Sequence, residues 1–171
     1  MFKKGGYVAA PAEPTVPRLS ASGLPGVIRA TLPLVRYNDS ILVEAHRDGW
    51  EGLFSEPLRH LYWIVTSRGV ERNWGRHDVT TDHYAAISGV LEVALIDGRR
   101  GSPSENQQLV VTLDGSTGDG LIIPPGVWHT FRSVSETGIL LNSKSPPYDP
   151  GHPDKHVVPL ADERFGFSWP D

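Results

Sequence analysis

The stretch RGVERNWGRHDVTTDHYAAISG, residues 68 to 89, sets Gly69, His77, Asp82 and Gly89 at intervals that bring two polar side chains together between turns. A second stretch, GDGLIIPPGVWH at 118 to 129, delivers another imidazole, His129, just after a Pro-Pro-Gly turn. Two imidazoles and one carboxylate can serve as a facial metal triad or as general acid and base, and the residues alone leave both roles open. Strand alternation through DHYAAIS puts Asp82 and Tyr84 on one face and His83 on the other, so His83 is expected to point away from the site.

Working outward, short runs rich in branched and aromatic residues recur between turn residues. They are VIRATL (27–32), ILVEA (41–45), LYWIVT (61–66), YAAIS (84–88), VLEVALID (90–97), QLVVTL (108–113), LIIP (121–124), HTFRSV (129–134) and GILLN (138–142). Each has strand length and is bounded by Gly, Pro, Asp or Ser. Helical periodicity never lasts three turns, although EPLRHL (56–61) is expected to form a short helical turn. The 18 Gly and 15 Pro mark frequent turns. An all-β sandwich or jelly-roll barrel follows.

Residues 1–25 are rich in Pro, Ala, Gly and Ser without apolar period, and are expected to form an arm that is flexible or lies on a partner subunit. Residues 26–171 then form a single domain, since 171 residues suffice for one sizeable core and not two. The net charge of −4 and the lack of a dense Lys/Arg run argue against nucleic-acid and membrane-surface partners. Zero cysteines exclude disulfides and thiolate chemistry, and no apolar run reaches 18 residues. A soluble cytoplasmic protein is expected.

Around the polar cluster, Arg72 can grip a phosphate or carboxylate through a bidentate fork, whereas Arg76 reads more simply as a solvated surface residue. Trp74, Tyr84 and Trp128 can wall a base or sugar ring; packing in the core is the simpler role for each.

The spacing of the two opening stretches resembles the paired cupin signature, G-x5-H-x-H-x4-E-x6-G followed by G-x5-P-x-G-x2-H. Gly69, His77, Gly89, Gly118, Pro124, Gly126 and His129 fall in register, Asp82 replaces the Glu, and Gly75 stands where the signature has its first His. This resemblance implies a cupin-type double-stranded β-helix. With LPGVI (24–28), SGVLEVALID (88–97), IPPGVWHTF (123–131), PYDPGHPD (147–154) and DERFGFSWP (162–170) added, the chain resembles the dTDP-4-dehydrorhamnose 3,5-epimerase branch of that superfamily.

The resemblance implies a cofactor-independent epimerase or isomerase that removes a proton beside the C4 ketone of a nucleotide-diphosphate 4-keto-6-deoxy sugar. It also implies a homodimer paired through edge strands. Carried over by position, Arg72 matches the Arg before the catalytic His, His129 the second active-site His, and Asp162 the Asp that pairs with the base. Departures are equally specific. The base itself aligns with Gly75, the acid Tyr with Asn142, and a Lys with Asp82. His77 or His129 is then expected to act as base, with Asp82, Tyr84, Asn142, Trp74 and Trp128 around the ligand. Two other outcomes follow from the loss at Gly75: a sugar-nucleotide-binding cupin without catalysis, or a metal-dependent enzyme using His77, Asp82 and His129.

Overall fold

The computed structural model describes residues 16–37, 40–47, 49–50, 52–54, 58–147 and 149–170. Among these residues thirteen strands follow in order: β1 Arg18–Ala21, β2 Ile28–Thr31, β3 Leu34–Arg36, β4 Ile41–Val43, β5 Leu61–Ser67, β6 Trp74–His77 and β7 Thr81–Ser88. Then come β8 Val90–Asp97, β9 Gln108–Asp114, β10 Asp119–Ile123, β11 Val127–Ser133, β12 Thr137–Ser145 and β13 Lys155–Val158. No helix occurs among the described residues, and none is long and apolar enough to cross a membrane. The expected turn at 56–61 lies partly outside the described residues; 58–60 is non-helical and Leu61 already belongs to β5.

A six-stranded sheet, in the order β1-β2-β10-β7-β12-β5, lies over a five-stranded sheet, β13-β6-β11-β8-β9, while β3 and β4 pair as a separate hairpin. Every pairing between named strands is antiparallel. This is the expected all-β jelly roll. Alternation sends one side-chain set of each sheet inward, where Leu91, Val93, Leu95, Leu113, Leu121, Ile123 and Leu140 form the main core. Burying each such side chain stabilises the fold by roughly 1.5–3 kcal/mol.

Part of each outer face is also covered. Leu53, Phe54 and Val43 pack over the six-stranded sheet against Ala30, Leu32 and Ala85. Over the five-stranded sheet, Leu160, Phe165, Phe167 and Trp169 of the carboxy-terminal segment pack against Trp74, Ala94, Ile96 and Trp128.

Residues 18–24 pack with the folded strands, although they fall within the arm expected over residues 1–25. Residues 1–15 lie outside the described residues, but Arg18–Ala21 pairs in register with Ile28–Thr31, and Leu24 is buried in the main core. All four β1 side chains are exposed, so the strand is held by its backbone ladder and has no apolar period to reveal it. Short β3, β6 and β13 were likewise absent from the strand-like runs; β6 contains only WGRH and β13 only KHVV.

Candidate active site

A cavity of about 330 Å³ opens between the two sheets at the end where β5, β6, β7, β11, β12 and β13 meet. On β6, alternation turns Gly75 and His77 toward it and Trp74 and Arg76 away. Gly75 is paired directly with His129 on β11, and Lys155 on β13 is paired with His77. Opposite them, one cross-strand row places Tyr62 on β5, Asn142 on β12 and Tyr84 on β7 side by side, with Lys144 beside Asp82 in the next inward row.

The Pro124-Pro125-Gly126 turn fixes His129 as expected. Gly126 has φ +81°, and a Cβ there would lie 2.5 Å from Arg99 Cγ, so glycine is needed on both counts. Its N–H donates to the His77 carbonyl at 2.8 Å, tying the turn to β6.

The two imidazoles stack with centroids 6.1 Å apart. His129 Nδ1–H donates to the Val127 carbonyl at 3.1 Å, which leaves the Nε2 lone pair facing the cavity. Burial lowers the His129 pKa and outweighs the opposing pull of Asp82 and the Val127 carbonyl. His77 Nδ1–H donates to Asp154 at 2.9 Å, and His77 Nε2 accepts from the Lys144 ammonium at 2.8 Å. Burial opposes charge on Asp154, but His77 and the N–H groups of Thr80 and Val79 hold its carboxyl far below the usual range.

Asp82 is 1% exposed. Its Oδ1 accepts from Asn142 Nδ2 at 2.7 Å, whereas Oδ2 has no hydrogen-bond partner and lies 3.6 and 3.5 Å from the Nε2 atoms of His77 and His129. Burial opposes its charge, yet His129, Lys144, His77 and Asn142 together lower its pKa. Asn142 also donates to the Tyr62 hydroxyl at 2.8 Å. Burial and Asp82 push the Tyr62 phenol up to about 12, and burial, Asp82 and Tyr62 raise that of Tyr84. At neutral pH both phenols are therefore proton donors.

Arg72 lies 5.0 Å over the Phe131 ring at the cavity edge. Lys155 stands exposed at the cavity rim, its pKa lowered by desolvation and by Lys144. The Cβ that Gly75 lacks would lie 3.3 Å from Lys155 Cε and 3.7 Å from His129 Nε2. The space left by that side chain is thus faced by an amine and an imidazole. The triad expected as a metal set does converge: one ligand atom from each of His77, Asp82 and His129 lies within 4.8 Å of the others.

Of the expected site residues, His77, His129, Asp82, Tyr84, Asn142 and Arg72 are brought to one cavity. Three behave otherwise. Trp74 borders the cavity but is fully buried under the carboxy-terminal segment, where its indole N–H donates to Leu160 and its ring meets Phe165 and Phe167 edge-on. Trp128 does not line the cavity; it packs on Phe165 with the Arg76 guanidinium 5.0 Å above it, because residue 128 faces opposite to 129. Asp162 does not line it either, being held by Arg164 through two 2.8 Å contacts. The carboxylate on His77 is Asp154 of the PYDPGHPD segment. His83 points away, donating to the Ser143 carbonyl.

Tyr62, Lys144, Asp154 and Lys155 were missed. Tyr62 and Lys144 lay in or beside recognised strands at inward parity, but placing them required knowing which strands neighbour β7.

Comparison with known proteins places this geometry. Residues 67–171 match the dTDP-4-dehydrorhamnose 3,5-epimerase family. A probable low-salt glycan biosynthesis epimerase of Haloferax volcanii is 29% identical over 130 residues, 75% of this chain and 83% of that protein. The spore coat polysaccharide biosynthesis protein SpsL of Bacillus subtilis is 29% identical over 108 residues, 63% of this chain and 72% of its own. Among solved structures, the 4-keto-6-deoxy sugar epimerase NovW of Streptomyces spheroides superposes with a TM-score of 0.77 at 22% identity, covering 93% of this chain and 82% of that one. The chain, with its jelly roll and its inward imidazoles, belongs to the dTDP-4-dehydrorhamnose 3,5-epimerase family.

Proposed function

We propose that the protein epimerises a nucleotide-diphosphate 4-keto-6-deoxy sugar at a carbon beside the ketone. Inverting such a carbon requires a base on one face of the ring and an acid on the other. The observation that carries this reading is the division of the cavity: imidazoles on the β6–β11 wall, phenols on the β5–β7 wall.

In this reading His129 takes the proton. It is neutral at physiological pH and its Nε2 lone pair is directed at the cavity. Negative charge then develops on the C4 oxygen, where the Lys144 ammonium is fixed by His77. Tyr62 returns a proton from the opposite wall. Arg72 and Lys155 sit where a diphosphate can be held. A cavity of 330 Å³ matches a hexose ring, with the nucleotide lying outside it. Family membership and the 4-keto-6-deoxy sugar named for the Streptomyces enzyme support the substrate class.

The test is proton NMR of dTDP-4-keto-6-deoxyglucose in deuterium oxide. Deuterium should enter at C3 or C5 with inversion, and Tyr62→Phe should keep exchange while losing about 100-fold in inversion. If the wild type binds the sugar and returns it without deuterium, the reading is wrong and the chain is a binding protein. Exchange lost in His77→Ala but kept in His129→Ala would move the base to His77.

We also propose a homodimer. β5 is a sheet edge whose outward residues Leu61, Trp63 and Val65 are 47%, 66% and 60% exposed, an apolar ladder suited to a second copy. Sedimentation should give a dimer that Trp63→Glu converts to monomer; an unchanged mass would remove this surface from consideration.

A further inference from the structure

We propose that the cavity contains a latent site for a divalent transition-metal ion, built from His77, Asp82 and His129, and that the Lys144 ammonium fills the place of that ion.

Both imidazoles present Nε2 to a common point because each Nδ1–H is fixed from behind, one by the Asp154 carboxylate and one by the Val127 carbonyl. That is the outer support metal-binding histidines characteristically have. Asp82 is supported in the same way, with Oδ1 held by Asn142 and Oδ2 left unpartnered, buried and turned toward both imidazoles. The Oδ2 to Nε2 separations are 3.6 and 3.5 Å. Ligands about 2.1 Å from a tetrahedral zinc stand about 3.4 Å from one another, so Asp82 already stands near the required spacing from each imidazole, with all three ligand atoms within 4.8 Å of one another.

The cation present among them belongs to the chain. Lys144, on the inward face of β12 and in register with Asp82, is 8% exposed. Its Nζ is 2.8 Å from His77 Nε2 and 3.7 Å from Asp82 Oδ1. An ammonium there supplies one positive charge to a site whose donors otherwise have nothing to bind. It also competes directly with a metal for the His77 lone pair and repels a dication. Removing it leaves the buried Asp82 carboxylate without its nearest fixed cation, a deficit a metal ion would relieve.

The experiment compares untagged wild type, Lys144→Met and Lys144→Met/His129→Ala after exposure to Co²⁺ or Zn²⁺ and desalting. Expected is about one equivalent of metal in Lys144→Met, with the visible absorption of four-coordinate cobalt and a rise in Tm on metal addition. Wild type and the double variant should each retain less than about a tenth of an equivalent under the same conditions. Equal metal in wild type and Lys144→Met, equal metal in the single and double variants, or no metal in Lys144→Met would overturn the proposal. Should Lys144→Met not fold with or without metal, Lys144→Gln, which keeps a donor for His77, gives the same readings. None of these depends on turnover of a sugar.

Discussion

Trp128 and His129 are adjacent in sequence and do opposite work. His129 faces the cavity with its lone pair free, whereas Trp128 faces the carboxy-terminal segment and packs on Phe165. The same division runs along β6, where Gly75 and His77 are inward and Trp74 and Arg76 are outward. One sheet therefore presents titratable groups on one side and an aromatic seal on the other. The polar side needs rigid placement, because imidazoles act only if their lone pairs stay aimed. The aromatic side supplies that rigidity.

His129→Ala should break the inward side most severely, lowering deuterium exchange by about 1,000-fold with little change in Tm. Trp128→Ala should do the reverse, costing about 3 kcal/mol in urea unfolding while KM stays near wild type at low temperature. A change in KM without loss of stability would place Trp128 in the ligand site after all. The pH profile separates the groups further. Because burial depresses the His129 pKa, kcat/KM should hold level down through about pH 6.5, the ordinary imidazole value, and fall only below it. The Tyr62 phenol, near 12, contributes no alkaline fall until that range is approached.

Asp154→Asn probes the support behind the inward side. The Asp154 carboxyl is depressed in the folded state, so its contribution is fully present above its ordinary value, about pH 4, and is lost as pH falls through the folded value. The stability gap between wild type and variant should accordingly be open at pH 7 and close in acid. Gly75→Ala is the mildest change. The added methyl meets the flexible end of Lys155 at 3.3 Å, and less than about 1 kcal/mol and less than tenfold in exchange should be lost.

Much of this arrangement was legible in the sequence. The long strands are near-continuous buried runs that branched and aromatic residues announce, and the spacing of His77, Asp82 and His129 located the cavity. The opposition of Asp82 and His83 followed from parity alone. Short strands were not legible, since WGRH and KHVV carry too few apolar residues to show a period and are held by neighbours distant in sequence. Asp162 was named by motif position, whereas the pairing of β13 with β6 brings Asp154 onto His77. Lys144 was invisible for a related reason: its partners are 62 and 67 residues away, and a lone lysine at a strand end reads as solvated.

The exposed indole of Trp63 has an optical consequence. Of the five tryptophans, Trp63 is the one on the outward β5 ladder, while Trp50, Trp74 and Trp128 are buried and Trp169 is partly covered. Emission from the covered indoles should be insensitive to protein concentration, so any blue shift on concentrating the protein comes from Trp63 leaving water. A dilution series read by intrinsic fluorescence would thus follow self-association without a label, and a Trp63→Phe control should flatten it.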